Sequence, residues 1–191
     1  MIDIPLIVFE GIDHSGKTTL SKALTAKYPE FKWSHEPTFS SEQADLLNSD
    51  EYEDNDAKRE VLFLESRLAQ QSLYRNNPVF LDRYLWSGLT YAKAFSPSIY
   101  PFCVELYQNY NIFKKPTLTF FMETPAETCF GRKEPDSKET VERLSTILQA
   151  YKDTLEFVNT PVVFIDGTKT LTECIEQAED ALRTHCPKYF I

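Results

Sequence analysis

The octapeptide Gly11-Ile12-Asp13-His14-Ser15-Gly16-Lys17-Thr18 constrains this chain more than any other stretch, because it works only between flanks of defined structure. It has the G-x-x-x-x-G-K-[ST] spacing and lies between an apolar run at residues 5–10 and an amphipathic stretch at residues 17–28. An apolar run closed by glycine reads as a central parallel strand covered on both faces. The stretch that follows reads as a helix with Leu20, Ala23, Leu24 and Lys27 along one face. The glycines let the backbone curl so that successive N–H groups point inward, and the helix start adds its positive dipole at the same place. A polyphosphate suits such a cradle, which makes Gly11, Asp13, His14, Ser15, Gly16, Lys17, Thr18 and Thr19 candidate contacts. Lys17 is expected at the β- and γ-phosphates, and the Thr18 hydroxyl on Mg²⁺, which prefers oxygen ligands and keeps several waters. Thr19 is either a further phosphate contact or an ordinary helix-packing residue.

Beyond the loop, strand and helix signals alternate. Residues 31–34 read as a second strand, 40–48 as a short helix, and 50–56 as a solvated acidic loop. A long helix is predicted over 57–75, with Val61, Leu64 or Glu65, Leu68 and Leu73 near the helical period. Strands follow at 78–82, 117–123 and 161–166, and helices at 87–95, 101–109, 125–132, 141–158 and 171–186. This pattern predicts a three-layer α/β fold with a central, mostly parallel five-stranded sheet whose ligands sit beyond the strand C-termini. No repeat, low-complexity tract or linker divides the 191 residues, so 1–191 reads as one domain.

Charge and cysteine usage narrow the partners. With 29 acidic against 20 basic residues the formal charge is −9, which opposes a grip on a nucleic-acid polymer. A small anion is still permitted, since salt screens distant charge beyond about 8–10 Å and a local basic cluster then dominates. The four cysteines, at 103, 129, 174 and 186, show no Cys-x-x-Cys spacing and read as reduced, structural thiols. No apolar run approaches a membrane span, so no membrane partner and a cytoplasmic location are expected.

The segment from Phe9 through Thr19, Phe-Glu-Gly-Ile-Asp-His-Ser-Gly-Lys-Thr-Thr, resembles the opening of the thymidylate kinases, which are P-loop nucleoside monophosphate kinases. Three further segments agree in order: His35-Glu36-Pro37-Thr38, Leu62 through Gln70, and Leu81-Asp82-Arg83-Tyr84-Leu85-Trp86-Ser87-Gly88-Leu89-Thr90-Tyr91. The resemblance runs from residue 6 to about 180 and is weakest between 130 and 150. It implies transfer of the γ-phosphate of ATP, with Mg²⁺, to dTMP or a related deoxynucleoside monophosphate on a route to dTTP. It also implies a homodimer.

Position by position, the resemblance implies that Phe63 stacks on the base and Arg67 donates to its O4 edge. On one helix these two residues are i and i+4 and share a face. The alternative is that Phe63 is core and Arg67 a solvated or ion-paired side chain. Arg83 is implied to hold the monophosphate, as a guanidinium does better than an ammonium, and Asp82 to act on the Mg²⁺. Asp13 is implied to meet the sugar 3′-hydroxyl and Tyr91 to pack under the deoxyribose, unless Tyr91 is simply a buried helix aromatic. Glu36, Pro37, Ser87 and Gly88 complete the implied acceptor site.

A mobile lid at about 131–142 is implied to supply the basic groups that His14 does not. Arg132 and Arg143 are the preferred donors, with Lys133 and Lys138 also in this stretch. His35 stands where many family members carry arginine, and the helix after the lid reads Thr146-Ile147-Leu148 in place of an arginine-rich pattern. A phage or viral enzyme with a broadened or modified-pyrimidine substrate, working in a host cytoplasm, also fits those departures. Two other readings compete: a deoxynucleoside kinase with Glu36 as general base, and a non-kinase nucleotide switch, against which the missing Asn-Lys-x-Asp motif counts.

Overall fold

A computed structural model describes residues 4–53, 55–109, 111–135 and 137–190. Residues 1–3, 54, 110, 136 and 191 of the expected single domain therefore lie outside the described residues, and Asp136 of the expected lid is among them. The chain alternates β1 (Leu6–Glu10), α1 (Lys17–Lys27), β2 (Lys32–His35), α2 (Ser41–Leu47), α3 (Asp50–Glu53), α4 (Asp56–Asn76), β3 (Val79–Asp82), α5 (Leu85–Phe95) and α6 (Tyr100–Asn109). It continues through β4 (Leu118–Glu123), α7 (Ala126–Gly131), α8 (Val141–Thr154), a 3₁₀ turn (Leu155–Phe157), β5 (Val162–Asp166) and α9 (Leu171–His185).

The five strands form one sheet in the order β2-β3-β1-β4-β5, and all four pairings are parallel. Alternation along β1 explains the three layers. Ile7 and Phe9 point to one face, into a cluster with Leu20 and Leu24 of α1 and Ala178 and Leu182 of α9. Leu6 and Val8 point to the other, where they meet Tyr74, Leu81, Tyr84 and Leu106. A third cluster on that side joins Ile12, Trp86 and Phe121 to Leu144, Ile147 and Tyr151 of α8. A strand buried on both faces has no solvated side, so β1 is continuously apolar up to Glu10.

Three expectations need correction. The acidic stretch at 50–56 is not all loop, because α3 occupies Asp50–Glu53. The long helix predicted to 158 stops at Thr154, and the chain tightens into the 3₁₀ turn. The predicted apolar face of α4 is split: Leu64 and Leu73 pack against the cluster under Leu6 and Val8, whereas Val61 is 51% and Leu68 42% exposed. The face that α4 buries instead carries Glu60, Leu62, Ser66, Arg67, Gln71 and Tyr74, most of them polar groups satisfied by one another and by tertiary partners. All four cysteines are buried. Among the described residues no helix is long and apolar enough to cross a membrane.

Candidate active site

The loop after β1 is shaped by positive backbone angles at Gly11 (φ 140), His14 (φ 62) and Gly16 (φ 103). At Gly11 a Cβ would come within 3.0 Å of the Met122 carbonyl oxygen, so glycine there lets the loop lie against β4. Gly11 is buried and lines neither of the cavities described below, so its part is to shape the cradle. α1 starts at Lys17 with Gly16 as its cap. Lys17 is only 5% exposed, and its Nζ donates to the Ile12 carbonyl at 2.6 Å. Burial, followed by the Arg83 charge, pulls the Lys17 ammonium down to about 8 despite Asp82, Asp13 and Glu10.

The Thr18 hydroxyl donates to Asp82 Oδ2. Asp82 Oδ1 and the Ser15 hydroxyl are buried without a partner among the described residues. Two side-chain oxygens at the phosphate cradle, one of them orphaned, form a donor set that suits Mg²⁺ with water and phosphate oxygens completing its shell. A cage of three or more His, Cys, Asp or Glu side chains is absent among the described residues.

Arg83 follows β3 in the left-handed region (φ 69). Its turn is held by its own N–H to the Phe9 carbonyl at 2.9 Å and by the next residue's N–H, which reaches Glu10 Oε1 at 2.9 Å. The guanidinium then reaches Asp13 Oδ1 at 2.6 Å and the Ser87 hydroxyl at 3.2 Å. Tyr91 donates to Asp13 Oδ2 at 2.8 Å and stacks its ring 5.5 Å from the guanidinium carbon. Burial alone would raise the Asp13 carboxyl, but the Arg83 and Lys17 charges reverse that and hold it down at about 2.

Arg67 is anchored from three directions. Nε lies 3.0 Å from Glu36 Oε2, Nη1 lies 3.2 Å from Glu60 Oε1, and Nη1 also meets the Tyr107 hydroxyl. Phe63 sits with its ring centre 5.9 Å from the guanidinium carbon. Tyr74 donates to Glu36 Oε1 at 3.0 Å. Burial pushes the Glu36 carboxyl up to about 7 against the pull of Arg67 and Tyr74. Gly88 leaves the room this arrangement needs, since a Cβ there would stand 2.9 Å from Arg67 Nη2 and 3.0 Å from the Tyr107 ring.

Two adjoining cavities divide these residues. The first, of about 780 Å³, is lined by Asp13, His14, Ser15, Gly16, Lys17, Thr18, Thr19, Asp82 and Arg132. The second, of about 460 Å³, is lined by Pro37, Phe63, Arg67, Ser87, Gly88, Tyr91 and Arg143. Asp13, Glu36 and Arg83 belong to both walls. The two arginines preferred as lid donors are thus separated. Arg132 donates to the Gly167 carbonyl at 3.0 Å in the first cavity. Arg143 lies 4.1 Å over the Phe95 ring at the second and pairs with Glu139 at 3.3 Å. Between α7 and α8 the described residues form no helix or strand.

Several residues of the site carry no local signal in the sequence. Glu10 is fully buried and accepts from the Ser87 hydroxyl at 2.5 Å and the Tyr151 hydroxyl at 2.9 Å. Glu60 and Tyr107 meet Arg67 from other turns and another helix. Gly167, Lys169, Leu171 and Cys174 wall the first cavity from beyond β5. The Asp166-Gly167 pair at the end of a strand is the one hint of that wall, since glycine at a strand end often marks a close approach.

Comparison with known proteins agrees with this geometry. A profile described as thymidylate kinase matches residues 9–178. A probable thymidylate kinase of Methanocaldococcus jannaschii is 31% identical over 181 residues, covering 91% of this chain and 92% of that protein. A thymidylate kinase of Leptospira interrogans is 29% identical over 204 residues, with 94% of each chain covered. Among solved structures, thymidylate kinase from Candida albicans superposes with a TM-score of 0.79 at 24% identity, covering 98% of this chain and 93% of that one. Deoxyadenosine kinase from M. mycoides shares the fold with a TM-score of 0.75 at 18% identity, covering 93% of this chain and 98% of that one.

Proposed function

Because the chain belongs to the thymidylate kinase family, we propose that it transfers the γ-phosphate of ATP to dTMP or a related deoxynucleoside monophosphate, giving the diphosphate and ADP. One observation carries this reading: Arg83 stands in the wall shared by the two cavities, where it can hold a phosphate facing the loop that cradles a triphosphate. In the transfer an oxygen of the acceptor monophosphate forms a bond to the γ-phosphorus, and the bond from that phosphorus to the β,γ-bridging oxygen breaks, leaving ADP. The acceptor is already anionic and needs no strong base, so positioning and charge neutralisation dominate.

Lys17 and the loop amides balance the charge of the triphosphate, and Arg83 holds the acceptor. Arg132 enters from the donor side and Arg143 from the acceptor side. Thr18 and Asp82 would hold Mg²⁺, which would supply charge neutralisation for the triphosphate. Tyr91, tied to Asp13, closes the sugar end of the second cavity and favours a deoxyribose. Phe63 offers the base an aromatic face, and Pro37 walls it opposite the polar groups.

A 5′-hydroxyl acceptor would need Glu36 as its base, and both Glu36 oxygens are engaged by Arg67 and Tyr74. The phosphate acceptor is therefore the better supported reading. Offering thymidine and thymidylate separately, with ATP and Mg²⁺ and ADP release followed, tests it. Turnover of thymidylate alone is expected, and turnover of thymidine alone would overturn it. A cytoplasmic homodimer supplying dTTP synthesis completes the proposal. Exposed Val61 and Leu68 on α4 support a surface between copies, which light scattering checks by mass.

A further inference from the structure

Glu60 stands at the base end of the second cavity, beside the arginine that would donate to the 4-position of the base. Its side chain is 11% exposed and it lines the cavity with Phe63, Arg67 and Gly88. Oε1 lies 3.2 Å from Arg67 Nη1 and also accepts from the Tyr107 hydroxyl. Oε2 takes no hydrogen bond among the described residues, yet it is not among the sealed atoms without a partner. That oxygen therefore keeps accessible surface, on a residue that lines the cavity.

Charge balance does not explain a second acid here. Glu36 already neutralises Arg67 at 3.0 Å, its side chain 2% exposed. Taking another carboxylate out of water is costly unless its remaining lone pairs find donors. A guanidinium alone at the 4-position selects a carbonyl, because an amino group would set donor against donor. A guanidinium with a carboxylate oxygen beside it offers a donor and an acceptor at the same end of the cavity. A thymine O4 can then accept a hydrogen bond from an Arg67 N–H, and a cytosine N4 amino group can donate to Glu60 Oε2. Gly88 lets Arg67 and Tyr107 lie close against α5, beside the Glu60 carboxylate that both tips meet.

Resting on the monophosphate-kinase reading above, we propose that Glu60 extends the acceptor range to 4-aminopyrimidine deoxynucleoside monophosphates, so that deoxycytidylate is phosphorylated as well as thymidylate. The test is kcat/KM for dCMP and dTMP, with ATP and Mg²⁺, in the native protein, Glu60→Leu and Glu60→Gln. The native dCMP:dTMP ratio is expected above about 1:100. It should fall about tenfold or more in Glu60→Leu, which leaves the amino group without an acceptor. Glu60→Gln retains a carbonyl oxygen and should recover most of the ratio. A native ratio below about 1:100, or a ratio in Glu60→Leu within about threefold of native, overturns the proposal. If Glu60→Leu shows no cooperative thermal transition, the native ratio alone decides. Turnover of dTMP without dCMP sinks only this inference, whereas no turnover of any monophosphate sinks the reading on which it rests.

Discussion

Arg83 Nη2 lies 2.6 Å from Asp13 Oδ1, and this contact joins the end of β3 to the phosphate loop. Each helps to fix the other. Arg83 occupies a left-handed backbone position that costs energy for a non-glycine residue, and Asp13 keeps its charge because Arg83 and Lys17 offset its burial. The guanidinium is thus fixed before any acceptor arrives, which lowers the entropy lost on binding a phosphate.

Arg83→Lys keeps the charge but loses the planar fork that Asp13 and Ser87 orient. Its kcat/KM for the monophosphate should fall by about 100-fold or more, with the dissociation constant for ATP changed by less than about fivefold. Steady-state kinetics with the monophosphate varied, paired with calorimetric ATP titration, measures both. Equal losses on the two sides would show that Arg83 does not face the acceptor.

Lys17 makes pH a probe of the donor site. Burial, with Arg83 nearby, lowers its ammonium to about 8, so in the free protein the charge is lost as pH rises through about 8. The profile of kcat/KM for ATP, which reports the free protein, should show a falling limb near that pH. Bound polyphosphate favours the ammonium, so the limb in kcat should lie at least about one pH unit higher. Lys17→Ala should abolish turnover while keeping the thermal transition. A flat kcat/KM profile from about pH 7 to 9.5, or near-normal turnover in Lys17→Ala, would contradict the cradle.

The residues legible in the sequence are those whose work is local. The loop at Gly11–Thr18 declares itself because glycines, lysine and threonine must follow one another, and the strand and helix around it because their apolar periods differ. Asp82 and Arg83 are legible for the same reason, at the end of an apolar strand. Glu60, Tyr107 and Gly167 are not, because each acts through a partner far along the chain: Glu60 and Tyr107 are 47 residues apart and converge on Arg67. The reading of α4, correct for Leu64 and Leu73, fails elsewhere by the same physics. Apolar Val61 and Leu68 follow the helical period yet face outward, because buried polar side chains that find tertiary partners leave no hydrophobic trace.

Gly88→Ala tests how tightly the base end is set. The added Cβ would stand 2.9 Å from Arg67 Nη2 and 3.1 Å from the Tyr107 hydroxyl oxygen. Both tips are held by Glu60, and Arg67 also by Glu36, so they cannot simply swing aside. The acceptor KM should rise about tenfold or more with ATP KM little changed, since a small displacement at a positioning contact suffices for such a loss. An acceptor KM within about twofold of native would mean that Arg67 and Tyr107 yield freely.

Glu10 acts on the acceptor without touching it. Its two oxygens accept from the Tyr84 and Ser87 N–H groups at 2.9 and 3.2 Å, the Ser87 hydroxyl at 2.5 Å and the Tyr151 hydroxyl at 2.9 Å. It thereby caps the start of α5 from the neighbouring strand and holds the turn that carries Arg83. Glu10→Gln removes the charge and turns the oxygen that faces the Ser87 and Tyr151 hydroxyls into a donor, so both hydroxyls must turn to accept and the hydrogen bonds to a carboxylate are lost. Hydrogen bonds to a charged group contribute about 1.5–3 kcal/mol, and thermal unfolding should register their loss as a lowered midpoint. A purely structural role would stop there. If Glu10 positions Arg83, the acceptor KM should also rise about tenfold while kcat at saturating acceptor stays within about threefold. Glu10→Asp, whose shorter carboxylate still accepts, should regain part of that acceptor KM. A lowered midpoint with acceptor KM unchanged would confine Glu10 to holding the fold.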